Sequence, residues 1–388
     1  MSWKSLTVGQ KGSGFQEGLV ATGALVLLIG SLVDPESALP NLLLGAFLLL
    51  TLSLGGLFFL ALEQATGASW CASIRRVPEA MAATLPLSAA VFAVALALNL
   101  NNYPWMHESH GGADSPFWFK ELWLTPVFFM VRSILYLGIW VFFGNRLLRT
   151  LRAHDEGWNE SAGRLGVRLS VAFLVVFAVT LSLATFDWIM SFEHHWFSTI
   201  FGVYNFAGLF LAALAMIAIL AVRKHDEGPL QKALTAEHLH DLGKLMFAFS
   251  NFWMYIWFSQ YMLIWYTNIP EETSYFVTRV GGTWGPILLL SLLLNWVVPF
   301  LILLPVKSKR DPRILIKVCW AILAGRCVDL YLMMLPTFAA DAPMSPVWAM
   351  AATAAVAGLF MLRFDSEFGK VAPVTTDPRV AEALSYHN

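Results

Sequence analysis

Charge is scarce in this chain. Only 13% of its residues are Asp, Glu, Lys or Arg, about half of the roughly 25% carried by soluble domains. A soluble protein of 388 residues could not cover its surface with so little charge. The formal net charge of −1 offers no bulk attraction to a polyanion, so nucleic acid is not an expected partner. Cysteine is scarce too. Cys71, Cys319 and Cys327 form neither a C-x-x-C pair nor a C-x-x-C-H motif, which argues against attached haem c and a Cys-ligated iron–sulfur cluster in this chain. Each reads as a small packing residue. A G-x-x-x-x-G-K-[ST] loop is missing, so ATP is not the expected driver.

Histidine is missing where a haem would need it. His107, His110, His154, His194, His195, His225, His238, His240 and His387 all fall in expected loops, span edges or the terminal tail. His107 and His110 form an H-x-x-H, not the H-E-x-x-H of zinc proteases, and read as polar loop residues. The expectation is a chain with no redox centre, metal or cofactor of its own.

Apolar residues are plentiful, at 57% of the chain, and the mean hydropathy is +0.63. The expected solvent is therefore a lipid bilayer. Ten apolar segments are each long enough to cross as a helix, near 17–33, 40–62, 79–100, 121–146, 166–188, 199–222, 244–265, 284–304, 315–338 and 346–362. The runs are too long for strands and lack the two-residue alternation of a membrane barrel. Backbone groups in lipid must be satisfied within the segment, so an all-α fold follows. The first segment lacks an A-x-A-like cleavage site and is followed directly by Asp34 and Pro35, so it reads as a span rather than a signal peptide. The expected organisation is one integral membrane domain over residues 1–363 and a polar tail over 364–388.

The few charges set orientation. All but four of the 25 basic residues fall in alternate loops, including Arg75 and Arg76, the run Arg146 to Arg168, Arg223 and Lys224, and Lys307 to Lys317. The opposite loops hold only Lys120 and Arg279. The positive-inside rule places both termini in the cytoplasm, and ten spans fit, since an even number returns the chain to its starting side.

The remaining two, Arg132 and Arg326, fall inside expected spans. A charge there carries an insertion cost of about 2.5–3.5 kcal/mol and faces a partner or a wet cavity. Arg132 lies eleven residues inward from Glu121, roughly 16 Å deep. Arg326 lies nine residues beyond Lys317, and Asp329 shares its helix face at i+3. A buried Arg326–Asp329 pair is expected, either as glue between helices or as a station on a proton path.

Two further clusters lie on the expected outer side. Asp187, Glu193, His194 and His195 crowd four titratable groups into nine residues, beside Trp188 and Trp196. They could handle protons or sit in an interfacial aromatic belt. Ser259, Gln260, Tyr261 and Tyr266 supply hydrogen-bonding groups within an aromatic helix end, a surround suited to a flat quinone ring or simply to interhelical contacts.

The segments Asp187-Trp-Ile-Met-Ser…His195-Trp-Phe-Ser-Thr-Ile-Phe-Gly202 and Ser259-Gln-Tyr…Ile264-Trp-Tyr-Thr-Asn-Ile-Pro-Glu-Glu272 resemble the membrane subunits of bacterial alternative complex III, a quinol:cytochrome c oxidoreductase. Those subunits are NrfD/PsrC-like integral membrane proteins, and the chain is most similar to the smaller of two paralogues. The resemblance implies two four-helix bundles, spans 2–5 and 6–9, flanked by spans 1 and 10. It implies the bacterial inner membrane, and no redox centre in this chain. The implied partners are the paralogous membrane subunit, an iron–sulfur subunit, multihaem and monohaem c-type cytochromes, small membrane subunits and a terminal oxidase. Haem c and iron–sulfur clusters would sit on those partners. The chain would anchor them and conduct protons through Arg132, Asp187, Glu193, His194, His195, Arg326 and Asp329. Acidic outer loops, among them Asp34, Glu36, Glu108, Asp114, Glu271, Glu272 and Asp341, would suit docking.

Two alternatives stay open. In one, the chain itself binds quinol or quinone through Ser259, Gln260, Tyr261 and Tyr266; in the other, it acts alone as a secondary transporter. Transporters often break helices in matching halves; here Pro286 and Pro299 interrupt the eighth segment without a clear counterpart in the first half.

Overall fold

A computed structural model describes residues 13–107, 122–156, 160–193, 195–340, 343–375 and 380. Helix is the only extended regular structure among the described residues. The main helices are α1 (Ser13–Val33), α2 (Pro35–Thr66), α3 (Arg76–Ala82), α4 (Leu85–Leu98), α5 (Pro126–Glu156), α6 (Glu160–Trp188) and α7 (Phe201–Asp226). They continue with α8 (Ala236–Thr267), α9 (Pro270–Val280), α10 (Gly285–Leu292), α11 (Val298–Leu303), α12 (Val306–Arg310), α13 (Pro312–Met334) and α14 (Pro346–Phe368). Among the described residues, eight helical segments are long and apolar enough to cross a membrane by length and composition. The architecture is that of a helical multi-pass membrane protein. The other two expected segments are also helical, as α8 and α13. Composition marks them less clearly, because α13 carries Lys317, Arg326 and Asp329 and α8 is diluted by Trp, Tyr, Asn and Gln.

Prolines set several starts. α2, α9, α13 and α14 all begin at a proline, whose fixed φ suits the first turn and whose missing N–H removes one orphan donor. Pro126 likewise starts α5 five residues later than the expected boundary at 121.

α2 and α7 are the most buried of the apolar helices. α2 packs on α3, α4, α6, α7 and α14, and α7 packs on α8 and α13. Small residues permit the close approach. A Cβ on Gly55 of α2 would lie 2.2 Å from the Cβ of Ala213 on α7, and one on Gly56 would lie 2.6 Å from the Cβ of Met81. The apolar driving force between helices is weak in lipid, so such backbone proximity supplies dispersion contact instead. α1 lies at the periphery on α14 and exposes Leu25, Leu28 and Leu32, as a lipid-facing helix should.

Backbone breaks inside the apolar region are covered. Between α3 and α4, the Thr84 and Ser88 hydroxyls each lie 2.6 Å from the Ser53 hydroxyl on α2. Between α10 and α11, residues Leu293–Val297 form a π turn. Pro299 has no N–H to give the Asn295 carbonyl four residues back. The Ser250 hydroxyl on α8 donates to that carbonyl instead, at 2.7 Å. An unsatisfied carbonyl in hydrocarbon would be far more unfavourable than in water.

The basic loops gather on one face, as the alternating charge pattern requires. Arg75 donates to Glu79 and to Asp155, each at 2.8 Å, and Arg76 donates to Glu79 at 2.6 Å and pairs with Asp155 at 2.8 Å. This network is almost fully buried, a role that counting Arg75 and Arg76 as topology charges did not reveal. The stretch expected to begin a polar tail at 364 packs instead. α14 continues to Phe368, the Ala372 carbonyl accepts from Arg76 at 3.1 Å, and the Thr375 hydroxyl accepts from Arg75 at 2.9 Å. On the same face, Lys309 donates to the end carbonyls Leu303 and Leu304 at 2.5 and 3.1 Å. Burial, and then Lys244 nearby, hold its pKa below the ordinary lysine value.

The α2–α7 contact gives a direct test. Gly55→Val should force the two central helices apart and destabilise the fold by about 1–3 kcal/mol. Gly18→Ala, inside α1 with nothing within 4 Å, should not destabilise the fold, since Ala favours a helix over Gly. Thermal unfolding of the detergent-solubilised variants measures both.

Candidate functional site

The expected Arg326–Asp329 pair is formed, and it is the centre of a larger cluster. Arg326 Nη1 donates to Asp329 Oδ2 at 2.9 Å, and Nη2 donates to Asn205 Oδ1 at 2.5 Å. The Tyr204 hydroxyl donates to Asp329 Oδ1. Asn205 passes its own N–H to the Thr185 hydroxyl at 2.9 Å. Arg326 and Asp329 are 0% and 1% exposed. Arg326 Nε makes no hydrogen bond among the described residues. Gly208 makes the geometry possible, since a Cβ there would lie 2.5 Å from Arg326 Nη1. Arg326 is fourteen residues from the start of α13 and eight from its end, about 21 and 12 Å, so the cluster sits nearer the end of α13 than its start.

Above it lies a small cavity of about 20 Å³, lined by Tyr204, Gln260, Tyr275 and Arg279 among apolar neighbours. That volume admits one water and no quinone ring. Arg279 closes the end of the cavity beside the last turn of α13. Its Nε donates to the Leu332 carbonyl at 2.8 Å, its Nη1 to the Tyr275 carbonyl at 2.9 Å, and both Nη atoms to Glu193 Oε1 at 3.2 Å. The guanidinium lies 3.5 Å over the Tyr275 ring, which stacks on Trp196 at 4.0 Å. The Thr337 hydroxyl completes the Glu193 contacts at 3.0 Å. A cation on the last carbonyls of α13 also complements the helix dipole.

Arg132 belongs to a different group. Helix α5 starts at Pro126, so Arg132 is six residues in, about 9 Å deep rather than 16 Å. Its Nε and Nη2 donate to Asp187 Oδ2 and Oδ1, both at 3.0 Å, and its Nη1 to the Trp123 carbonyl at 2.9 Å. Trp123 Nε1 and the Tyr136 hydroxyl add donors to Asp187 at 2.7 and 3.2 Å. Four hydrogen bonds saturate this carboxylate, and the guanidinium is covered by the Trp123 and Phe128 rings at 3.9 and 4.4 Å. This is a fixed junction between α5 and α6.

The 187–195 cluster is therefore split. Asp187 faces Arg132, and Glu193 faces Arg279 across the other helices. His195 is exposed, while His194 lies outside the described residues, as do Glu108, His110, Asp114 and Asp341. The short helical turn Met190–Glu193 sends neighbouring side chains in different directions. The four quinone candidates diverge as well. Gln260 lines the small cavity, Tyr261 stacks on Trp257 at 5.5 Å, Ser259 is half-buried, and Tyr266 is 81% exposed. The motif after them is a helix stop and restart. Asn268 ends α8 in the left-handed region at φ 49°, Pro270 opens α9, and Glu271 and Glu272 occupy its first turn.

Tyr204, Asn205, Tyr275 and Arg279 join the site without being among the sequence candidates for it. The two signals were present: Tyr204-Asn205 is a polar step inside an apolar run, and Arg279 is one of only two bases on its side. No protein-family model matches the chain, and no curated protein is similar enough to be a relative.

The Arg132–Asp187 pair predicts an asymmetry. Asp187→Ala should lower stability by about 3–5 kcal/mol, because it leaves a buried guanidinium unpaired, whereas replacing both partners by Leu and Met should recover much of the loss. Thermal unfolding of the two variants in detergent distinguishes them.

Proposed function

We propose that this chain is a membrane subunit of a bacterial quinol:cytochrome c oxidoreductase of the alternative complex III type, without a redox centre of its own, and that it conducts protons. In this reading α8 and α13 are also spans. The chain then crosses the inner membrane ten times, as two four-helix bundles with a flanking helix at each end and both termini in the cytoplasm. Quinol is oxidised, and electrons pass to a c-type cytochrome or a terminal oxidase, through iron–sulfur clusters and haems on partner subunits. The chain anchors those partners beside its paralogue.

One arrangement carries the proton role: a fully buried carboxylate, Asp329, joined through the Tyr204 hydroxyl to a water-sized cavity that ends at Arg279 and Glu193. The Asp329 carboxyl, the Tyr204 hydroxyl, a cavity water and the Glu193 carboxylate can each give and take a proton, while Arg279 stays charged and holds Glu193 in place. A proton held on Asp329 would leave by a concerted shift, in which the Asp329 hydroxyl gives its proton to the Tyr204 oxygen, the Tyr204 hydroxyl gives its own to the cavity water, and the water's surplus proton goes on to the Glu193 carboxylate beside Arg279. Structural glue alone would need only the ion pair, and it gives no account of the cavity beyond it.

Asp329→Asn should lower the protons released per electron in reconstituted vesicles while quinol oxidation continues, and Tyr204→Phe should do the same. Unchanged stoichiometry in an assembled Asp329→Asn complex would leave the cluster structural. A tagged chain should also bring down iron–sulfur and multihaem subunits; recovery of the chain alone, moving a solute, would refute the complex reading.

A further inference from the structure

A second, much larger cavity lies away from this path. It has a volume of about 690 Å³ and runs between α1, α2, α7, α13 and α14. Ligand pockets fall in the range of about 300–1,000 Å³. One wall is a single face of α13, with Ile316, Trp320, Leu323 and Cys327 at helical spacing. Eleven residues of helix span about 16 Å, roughly half of the ~30 Å hydrocarbon core. The cavity therefore has the depth of one leaflet, on the side of the basic loops.

Its charged groups are confined to one end, with only the Cys327 thiol and the Thr353 hydroxyl at the other. Arg223, Asp226 and Glu227, at the end of α7, line the mouth with Gln16. Arg223 pairs with Glu227 at 2.7 Å and with Asp365 at 2.6 Å, and Lys224 pairs with Glu227 and Asp365 at 2.6 and 2.9 Å. Two bases face three acids, so the mouth has both signs and a small acidic excess. Water is a poor filling for the apolar length, and a void of this size would forfeit packing along every wall.

We propose that this cavity holds one acyl chain of a zwitterionic, amine-bearing phospholipid from the inner leaflet. The chain lies along α13 as far as Cys327. The headgroup sits at the mouth, its phosphate toward Arg223 and its ammonium toward Asp226 and Glu227. The match rests on three things: a depth of one leaflet, an apolar wall along that depth, and both charge signs at the headgroup level. It requires only that these helices cross the membrane and is independent of the proton path.

The test is retention of lipid by the chain purified from membranes with whatever subunits accompany it, read by native mass spectrometry and by lipid extraction after extensive detergent washing. About one amine phospholipid per chain should resist washing. Ala324→Phe with Ala357→Phe, which fills the cavity, should lower retention severalfold, and Arg223→Gln should weaken it with the apolar length intact. Unchanged retention in the filled variant, or a quinone as the retained molecule, would overturn the proposal. Should the filled variant misfold, a phospholipid with a diazirine on its acyl chain can be photolysed on the wild-type protein. Label on residues 316–327 or 353–361 supports the site, and label confined to the exposed faces of α1 and α6 overturns it.

Discussion

A buried charge in hydrocarbon must find a partner, and much of this structure follows from how two arginines do so. Arg326 and Arg132 each meet a carboxylate, Asp329 and Asp187. Around each, further helices lend donors and acceptors until the pair is satisfied or nearly so. Asn205 and Tyr204 tie α7 to α13 in one case, and Trp123 and Tyr136 tie α5 to α6 in the other. Apolar surface cannot choose between helix faces in lipid, since the tails are as apolar as leucine. The polar contacts and the small-residue crossings supply the specificity.

The two pairs differ in what remains unsatisfied. Asp187 is saturated by four hydrogen bonds. The Arg326–Asp329 cluster leaves Arg326 Nε without a hydrogen bond among the described residues and borders a space for one water. Incomplete satisfaction at a buried site is unfavourable unless something uses it. That contrast, more than charge alone, separates a structural junction from a candidate path.

Sequence reading reached the helices readily, because an apolar run of span length is a property of consecutive residues. It reached Arg326–Asp329 for the same reason, as partners three apart on one helix share a face. It did not reach Arg132–Asp187 or Glu193–Arg279, whose partners are 55 and 86 residues apart. Adjacency misled at 187–195, where a short helical turn and the chain beyond it divide the acids between two unrelated arginines. Depth misled at Arg132, because Pro126 moves the helix start inward past Glu121. Polar residues counted as topology markers, Arg75 and Arg76 above all, proved to be core.

The π turn has a geometric consequence of its own. The buried positions of that segment are Leu288, Ser291, Asn295, Pro299 and Leu303. They span fifteen residues in four steps, a period slightly longer than the ~3.6 residues of a regular helix. An unbroken α-helix would carry this stripe about 60° around its axis over that length. The wide turn absorbs the surplus, so Leu288 beside the small cavity and Leu303 beside Lys309 lie on one straight seam. The interruption at Pro299 is thus a correction of phase: it lets one long segment keep a single face against its neighbours from one side of the membrane to the other.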